Sequence, residues 1–412
     1  MGKPMADAVQ SCVHCGFCLS ACPTYQVMGQ EMDSPRGRIL SMRHVLEGTL
    51  ELEEVLPHTD ACLGCLACET ACPSGVVYRE LISPFREYAN AKRKRPLIER
   101  LKRMMILSTL PYPKRFRLAA TTGKLARPFK ALVPKPLQPM IDLLPQSLPK
   151  AVTLPTVTPA QGKQRGRVAL LAGCAQQVLD PDINLATIDV LSRNGIEVIV
   201  PEKQACCGAL AWHIGEGDAA RATGRKNLEA FDLDTIDAVI SNAAGCGSGL
   251  QEYHLIFRGR PEETQADALA KKTKDVNQYL YDLGGLIDPP SLPNKVKVAY
   301  HDACHMLHGQ KVQAAPRTLL RQVGNLEVVD IPDSHLCCGS AGTYNIDQPD
   351  VARELGRRKA ASIQSTTPDL VATGNIGCMV QIKTHVDETP RPLPILHTMQ
   401  ILARAYRGDA VV

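Results

Sequence analysis

From residue 166 onward, short runs of Val, Ile, Leu and Ala alternate with longer stretches whose apolar residues recur at helical spacing. Arg167–Ala172, Ile196–Val200 and Ala238–Ser241 read as strands, with helices expected at Asn184–Arg193 and Ala219–Ala230. The order then returns, with strands expected at Val296–Tyr300, Leu326–Ile331 and Leu370–Thr373. Strands alternating with helices predict parallel sheets. Upstream the pattern changes. Residues 1–90 lack long apolar periodicity, and residues 91–165 are basic and proline-rich, closing in a stretch, Leu148 to Arg167, that reads as a linker. The expected division is therefore 1–90, 91–165, 166–290 and 291–412. The expected class is α+β, with a small helical domain and a basic helical connector followed by two repeated α/β domains.

Cysteine makes the repeat explicit. Eight of the sixteen cysteines fall before residue 73 and eight after residue 173. Cys174, Cys206, Cys207 and Cys246 return as Cys304, Cys337, Cys338 and Cys378, at offsets of 130, 131, 131 and 132. Local context returns too, as Gln204-Ala-Cys-Cys-Gly208 against His335-Leu-Cys-Cys-Gly339. Each group is expected just past the C-terminal end of a strand, the edge at which open α/β sheets hold ligands. Adjacent cysteines point apart, so they suit a cluster of several irons, with glycine freeing the backbone. Three readings stay open: a four-thiolate iron–sulfur cluster in each domain, a cluster in one domain only, or structural groups with zinc or free thiols. His213, His305, His308 and His335 lie nearby in sequence as candidate ligands or proton relays, against the plainer expectation that they are packed or solvated.

The N-terminal cysteines carry a sharper signal. Cys12, Cys15, Cys18 and Cys22-Pro23 form a C-x2-C-x2-C-x3-C-P run, and Cys62, Cys65, Cys68 and Cys72-Pro73 repeat it. This is the bacterial two-cluster ferredoxin pattern. Three thiolates within seven residues wrap one face of a [4Fe–4S] cubane, while the fourth lies too far along the chain to close the same one. The expected sets are Cys12, Cys15, Cys18 and Cys72 for one cluster, and Cys62, Cys65, Cys68 and Cys22 for the other. Structural zinc would need neither the third cysteine nor the proline. Between the runs, Met32-Asp-Ser-Pro-Arg36-Gly37-Arg38 sets two arginines beside a turn. Contact with a cluster loop or a partner is one reading. The expectation is a solvated turn before a helix at Ile39–Leu46.

Charge adds a fourth feature. The 412 residues carry a formal net charge of +5, yet residues 91–141 hold fourteen Lys or Arg against the single acid Glu99. Lys92-Arg-Lys-Arg95, Arg100, Lys102 and Arg103, followed by Met104-Met-Ile-Leu107, read as a basic amphipathic helix. Such a helix suits an anionic membrane surface or a partner subunit. Nucleic acid is not expected, since aromatic residues do not interleave the charges. No run of 18 apolar residues occurs, and Met1 to Gln10 lack the apolar core of a signal peptide. A cytoplasmic protein, peripheral on the inner face of the membrane, is expected. No G-x-G-x-x-G opens a βαβ unit, so no dinucleotide site is expected here.

The spacing Cys-x31-Cys-Cys-x38-Cys, and its second copy, resembles the cysteine-rich CCG domain of heterodisulfide reductases, anaerobic glycerol-3-phosphate dehydrogenase and lactate-oxidising systems. Many such domains end in CxxC, whereas here the ends are Cys246-Gly-Ser-Gly249 and Cys378-Met-Val-Gln381, without a fifth cysteine. Cys12-Val-His-Cys-Gly-Phe-Cys18, Ser34-Pro-Arg-Gly-Arg38 and Asp333-Ser-His-Leu-Cys-Cys-Gly-Ser-Ala-Gly-Thr-Tyr344, in this order, resemble the iron–sulfur subunits of bacterial glycolate oxidase (glycolate dehydrogenase). The resemblance implies an electron-transfer subunit with two [4Fe–4S] clusters and one or two further clusters in the CCG domains. It implies flavin-binding partner subunits that oxidise glycolate to glyoxylate, a membrane acceptor such as quinone, and no catalytic residue on this chain. A related glycerol-3-phosphate or lactate dehydrogenase subunit, or a heterodisulfide-reductase-like enzyme, is the alternative.

Overall fold

The computed structural model describes residues 3–125, 127–142, 144 and 147–412. In the N-terminal region, helices Lys3–Gln10, Pro35–Glu47, Leu52–Asp60 and Arg79–Lys92 enclose a core of Ile39, Met42, Val55, Leu81, Ile82 and Phe85. Pro35–Glu47 shows why helices form here. Ser34 caps it by accepting from the Gly37 N–H at 3.0 Å, Pro35 occupies the first turn, and Gly48 closes it in a left-handed conformation. Helices Leu97–Thr109 and Pro113–Leu125 make up most of the connector.

Two sheets follow. The first contains β1 (Val157–Thr158), β2 (Gly166–Leu171), β3 (Ile196–Ile199), β4 (Ala238–Ser241) and β5 (Thr273–Asp275), in the order β1-β3-β2-β4-β5. The second contains β6 (Ser291–Tyr300), β7 (Gly324–Asp330), β8 (Leu370–Thr373) and β9 (Ile395–His397), in the order β7-β6-β8-β9. All pairs are parallel except β1 with β3. Dropping β1, the two orders are the same, so the cysteine repeat is a repeat of topology. The expected strands sit where the apolar runs placed them. The stretch read as a linker does not stay a linker: β1 lies within it and pairs Val157 with Ile199. Two residues carry too little periodicity to be seen, and β5 and β9 escaped for the same reason.

The repeats pack reciprocally. Helix Asp182–Arg193 of the first lies on Thr398–Arg407 of the second, and Ala314–Arg321 of the second lies on Val276–Asp282 of the first. One apolar core joins them, with Val168, Leu170, Val198 and Ile240 on one side and Val298, Tyr300, Leu370 and Leu402 on the other. Both sheets thereby contribute to one core, and the loops that follow strands of each line a common cavity.

Candidate metal centres

The two N-terminal loops share an unusual backbone. In the first, His14 and Gly16 have φ of 54° and 89°; in the second, Gly64 and Leu66 have φ of 66° and 63°. The positions correspond, two and four residues after the first cysteine, so the left-handed turns belong to the loop rather than to glycine. Holding His14 and Leu66 there costs about 1–2 kcal/mol each. The turns curl each loop around a hollow. Cys12, Cys15, Cys18 and Cys72 line one hollow, Cys22, Cys62, Cys65 and Cys68 line the other, and Cys68 borders both. The expected sets are thus brought together. Cys15 is exposed, whereas Cys22, Cys62 and Cys65 are buried.

Donors converge on these sulfurs. The Gly64 N–H lies 3.3 Å from Cys62 Sγ, and the Val76 N–H 3.5 Å from Cys72 Sγ. The expectation of a solvated turn at Arg36 and Arg38 fails. Arg38 is buried, with Nη1 3.8 Å from Cys22 Sγ and 3.0 Å from Thr24 Oγ1, and Nε donating to the His58 carbonyl at 2.7 Å. Arg36 donates to the His14 carbonyl at 2.8 Å and pairs with Glu31 at 2.7 Å. Burial would push the Cys62 thiol up, but the guanidinium groups of Arg38 and Arg86 overcome it and hold that thiol below its ordinary value. Burial pushes the neighbouring thiols of Cys65 and Cys68 well up. Buried thiols pressed together, with cations and N–H groups aimed at sulfur, are the surroundings of a thiolate-bound iron cluster.

In the repeats, every cysteine group follows a strand, as expected. Cys174 Sγ lies 3.6 Å from Cys206 Sγ, and Cys304 Sγ 3.9 Å from Cys337 Sγ. The glycine after each pair is required. Gly208 and Gly339 have φ of 83° and 92°, and a Cβ on Gly339 would sit 2.6 Å from the Ala352 carbonyl oxygen. Hydrogen bonds from Cys174 and Cys207 hold Cys206 well below its usual range. In the second repeat those from Cys337 and Cys378 do the same for Cys338. Four others are pushed well up: Cys174 and Cys207 by their bonds to Cys206, Cys337 by its bond to Cys304, and Cys378 by its bond to Cys338. One thiolate is thus favoured per group, and a bound cation would be needed for all four to ionise. The thiol sets therefore fit a metal centre in each repeat.

The groups adjoin. Cys65 shares an apolar cluster with Cys304 and Cys337. A cavity of 190 Å3 between the repeats is lined by Cys174, Cys206, Cys207, Cys246 and Cys304. Of the four candidate histidines, His213 and His305 also line that cavity. Burial, with His213 beside it, pushes His305 down to about 4, and its Nε2–H donates to the Gly64 carbonyl at 3.0 Å. His308 Nε2 donates to the His335 carbonyl at 2.9 Å and its Nδ1 meets Thr70 Oγ1 at 2.9 Å, while His213 lies 3.6 Å from buried Glu252. His335 is exposed. His305 and His308 pin the second cysteine loop of the N-terminal region to the second repeat. The histidine that sequence reasoning missed is His301, which has a ring nitrogen, Cys338 Sγ and Cys378 Sγ all within 4.8 Å of one another.

Comparison with known proteins matches this arrangement. A 4Fe-4S dicluster domain matches residues 8–76, and a cysteine-rich domain matches 168–251 and again 298–383. The glycolate oxidase iron-sulfur subunit of Escherichia coli (strain K12) is 37% identical over 414 residues, spanning 98% of this chain and 96% of that protein. The chain belongs to the glycolate oxidase iron–sulfur subunit family. The probable glycolate oxidase iron-sulfur subunit of Bacillus subtilis (strain 168) is 34% identical over 92% of the chain and 89% of that protein. Lactate utilization protein A of Oceanobacillus iheyensis is 31% identical over 59% of the chain and 98% of that protein. A hypothetical protein from Helicobacter pylori shares the fold, with a TM-score of 0.55 at 11% identity, over 98% of this chain and 73% of that one.

As a member of this family the chain is an iron–sulfur subunit of an oxidoreductase, carries several iron–sulfur clusters and works with other subunits. Among the described residues no helix is long and apolar enough to cross a membrane. The connector differs from its expected form. Arg93, Arg103 and Lys102 turn inward to pair with Asp60, Glu216 and Asp347. The connector exposes Leu97, Leu101, Met104, Met105, Leu118 and Leu125 together with the basic Lys92, Lys94, Arg100, Lys114 and Arg115.

Proposed function

We propose that this chain carries electrons from flavin-binding subunits, which oxidise glycolate to glyoxylate, to a membrane acceptor such as a quinone. Cys12, Cys15, Cys18 and Cys72 hold one [4Fe–4S] cluster, and Cys22, Cys62, Cys65 and Cys68 a second. Cys174, Cys206, Cys207 and Cys246, and Cys304, Cys337, Cys338 and Cys378, hold one further centre each. When bound, such clusters take up and release single electrons. The division into 1–90, 91–165, 166–290 and 291–412 belongs to the same reading, the three matched segments falling inside the first, third and fourth parts.

The observation that carries the reading is continuity. The four cysteine groups form one uninterrupted line from exposed Cys15, through buried Cys65 and Cys304, to Cys174. Each end meets the surface differently. Beside Cys15, Val13 and Phe17 are each 67% exposed and offer an apolar contact for an electron donor. At the far end, Cys174 and Cys206 border a groove of 720 Å3, walled by Tyr112, Arg115, Leu154 and Lys203 and wide enough for an acceptor. That groove adjoins the connector, whose exposed apolar face suits the headgroup region of a membrane.

The test is iron and acid-labile sulfide per chain, on full-length protein purified without oxygen, with EPR of the reduced state. About twelve to sixteen irons are expected. About eight would confine the redox centres to the N-terminal region and break the line. Near-zero iron with stoichiometric zinc would sink the reading.

A further inference from the structure

His301 directly follows β6, and its backbone N–H donates to the Ala372 carbonyl at 2.8 Å, which extends the sheet by one rung. The side chain is wholly buried, and neither ring nitrogen has a hydrogen-bond partner. Leaving a buried polar group unpaired costs about 1–3 kcal/mol. That cost needs a return, and the neighbours supply it. A ring nitrogen, Cys338 Sγ and Cys378 Sγ lie within 4.8 Å of one another, the spacing of donors that share a centre.

Two comparisons narrow the reading. At the offset of 130 that relates Cys174 to Cys304, the residue matching His301 is Leu171, buried and apolar. The histidine is therefore not a requirement of the fold. Among the other groups near the second centre, Asp302 is held by both Nη atoms of Arg317 at 2.7 Å, and His305 and His308 are committed to backbone carbonyls. His301 alone of these is left with free donor atoms. The second group also has no thiol after Cys378 to serve as a fifth donor, since Met379, Val380 and Gln381 follow.

We infer that His301 is a nitrogen ligand of the centre in the second repeat, completing a five-donor set with Cys304, Cys337, Cys338 and Cys378. The inference rests on the reading that this repeat holds an iron–sulfur centre. Neutral imidazole binds through its lone pair and leaves the other ring nitrogen protonated. The imidazole is a donor that the first repeat's four thiolates lack, so the two repeats would hold centres of different potential.

The test uses full-length chain labelled with 15N only at histidine, purified without oxygen and examined by pulsed EPR. A strong 15N coupling is expected in one centre, lost in His301→Leu, a residue the first repeat accommodates at the matching position. His301→Cys should also lose the coupling while keeping the iron, and should lower the midpoint potential of one centre. A full iron complement without the coupling, or a coupling that survives in His301→Leu, overturns the inference and leaves the iron–sulfur reading standing. Iron limited to about eight per chain overturns both.

Discussion

The first and second cysteine-rich repeats have the same strand order and nearly the same cysteine spacing, yet their sulfurs live in different surroundings. In the first, Cys174 and Cys246 are partly exposed and the group opens on a groove of 720 Å3. In the second, all four cysteines are buried, two of them, Cys304 and Cys337, in one apolar cluster with the N-terminal cluster loop. Single positions at the sheet edge separate the two further: Leu171 against His301, and Asp275 against His397 as the residue that ends the fourth strand and caps the next helix. The repeated backbone sets where four thiols meet. The residues just outside that frame decide whether the group is enclosed or opens on the surface.

The largest test of that contrast is to break each group in turn. Cys337→Ser with Cys338→Ser should remove about four irons and leave the first repeat's centre oxidised when electrons are fed from the flavin side. Cys206→Ser with Cys207→Ser should remove as many, yet leave the second centre reducible. EPR of the substrate-reduced complex reads both. Equal reducibility of the surviving centre in the two variants would mean that the line does not run in this order.

Next come the glycines. Gly339→Ala forces a Cβ to 2.6 Å from the Ala352 carbonyl at φ of 92°, whereas at Gly208 the closest atom is 3.1 Å away. The loss of stability should be about 3 kcal/mol or more for Gly339→Ala and about 1–2 for Gly208→Ala, measured by denaturant unfolding. A reversed order would show that the second pair has more room than its surroundings imply.

The caps titrate in opposite directions. Burial pushes His397 from 6.5 down to about 4, and its Nε2–H donates to the Asn242 carbonyl at 2.7 Å. The unfolded chain then binds more protons between those values, so this contribution is present above 6.5 and lost as pH falls toward 4. Burial pushes Asp275 from 3.8 up to about 6. The folded chain binds more protons there, so its contribution is present below 3.8 and lost as pH rises through 6. Each spans up to about 3 kcal/mol. His397→Asn should flatten the acid limb of the melting temperature against pH, and Asp275→Asn should raise stability above pH 6. Indistinguishable pH profiles would remove the contrast between the caps.

The smallest effect is one of access. With metal removed under reducing conditions, an alkylating reagent should reach Cys174 and Cys246 about tenfold faster than the buried thiols of the second repeat, read by peptide mass spectrometry.

Spacing alone determined a good deal. The two C-x2-C-x2-C-x3-C-P runs fixed which thiols could share a hollow, because a loop of seven residues can wrap only one face of a cluster. The constant offsets between Cys174 and Cys304, and between Cys246 and Cys378, revealed the duplicated sheet, because local order survives duplication. Only the tertiary structure decided the environment of those thiols. Arg38 reads as a solvated charge and is buried against Cys22, because a helix sixteen residues on folds back over the loop. Lys102 and Arg103 read as a membrane-facing patch and instead pair with Asp347 and Glu216, since the acids that meet them lie more than a hundred residues away. His301 passed unnoticed beside four other histidines, because nothing local marks a side chain whose ring nitrogens are left without partners. Periodicity and spacing report what neighbours along the chain can do together; burial, pairing and the approach of one loop to another depend on partners that only folding brings close.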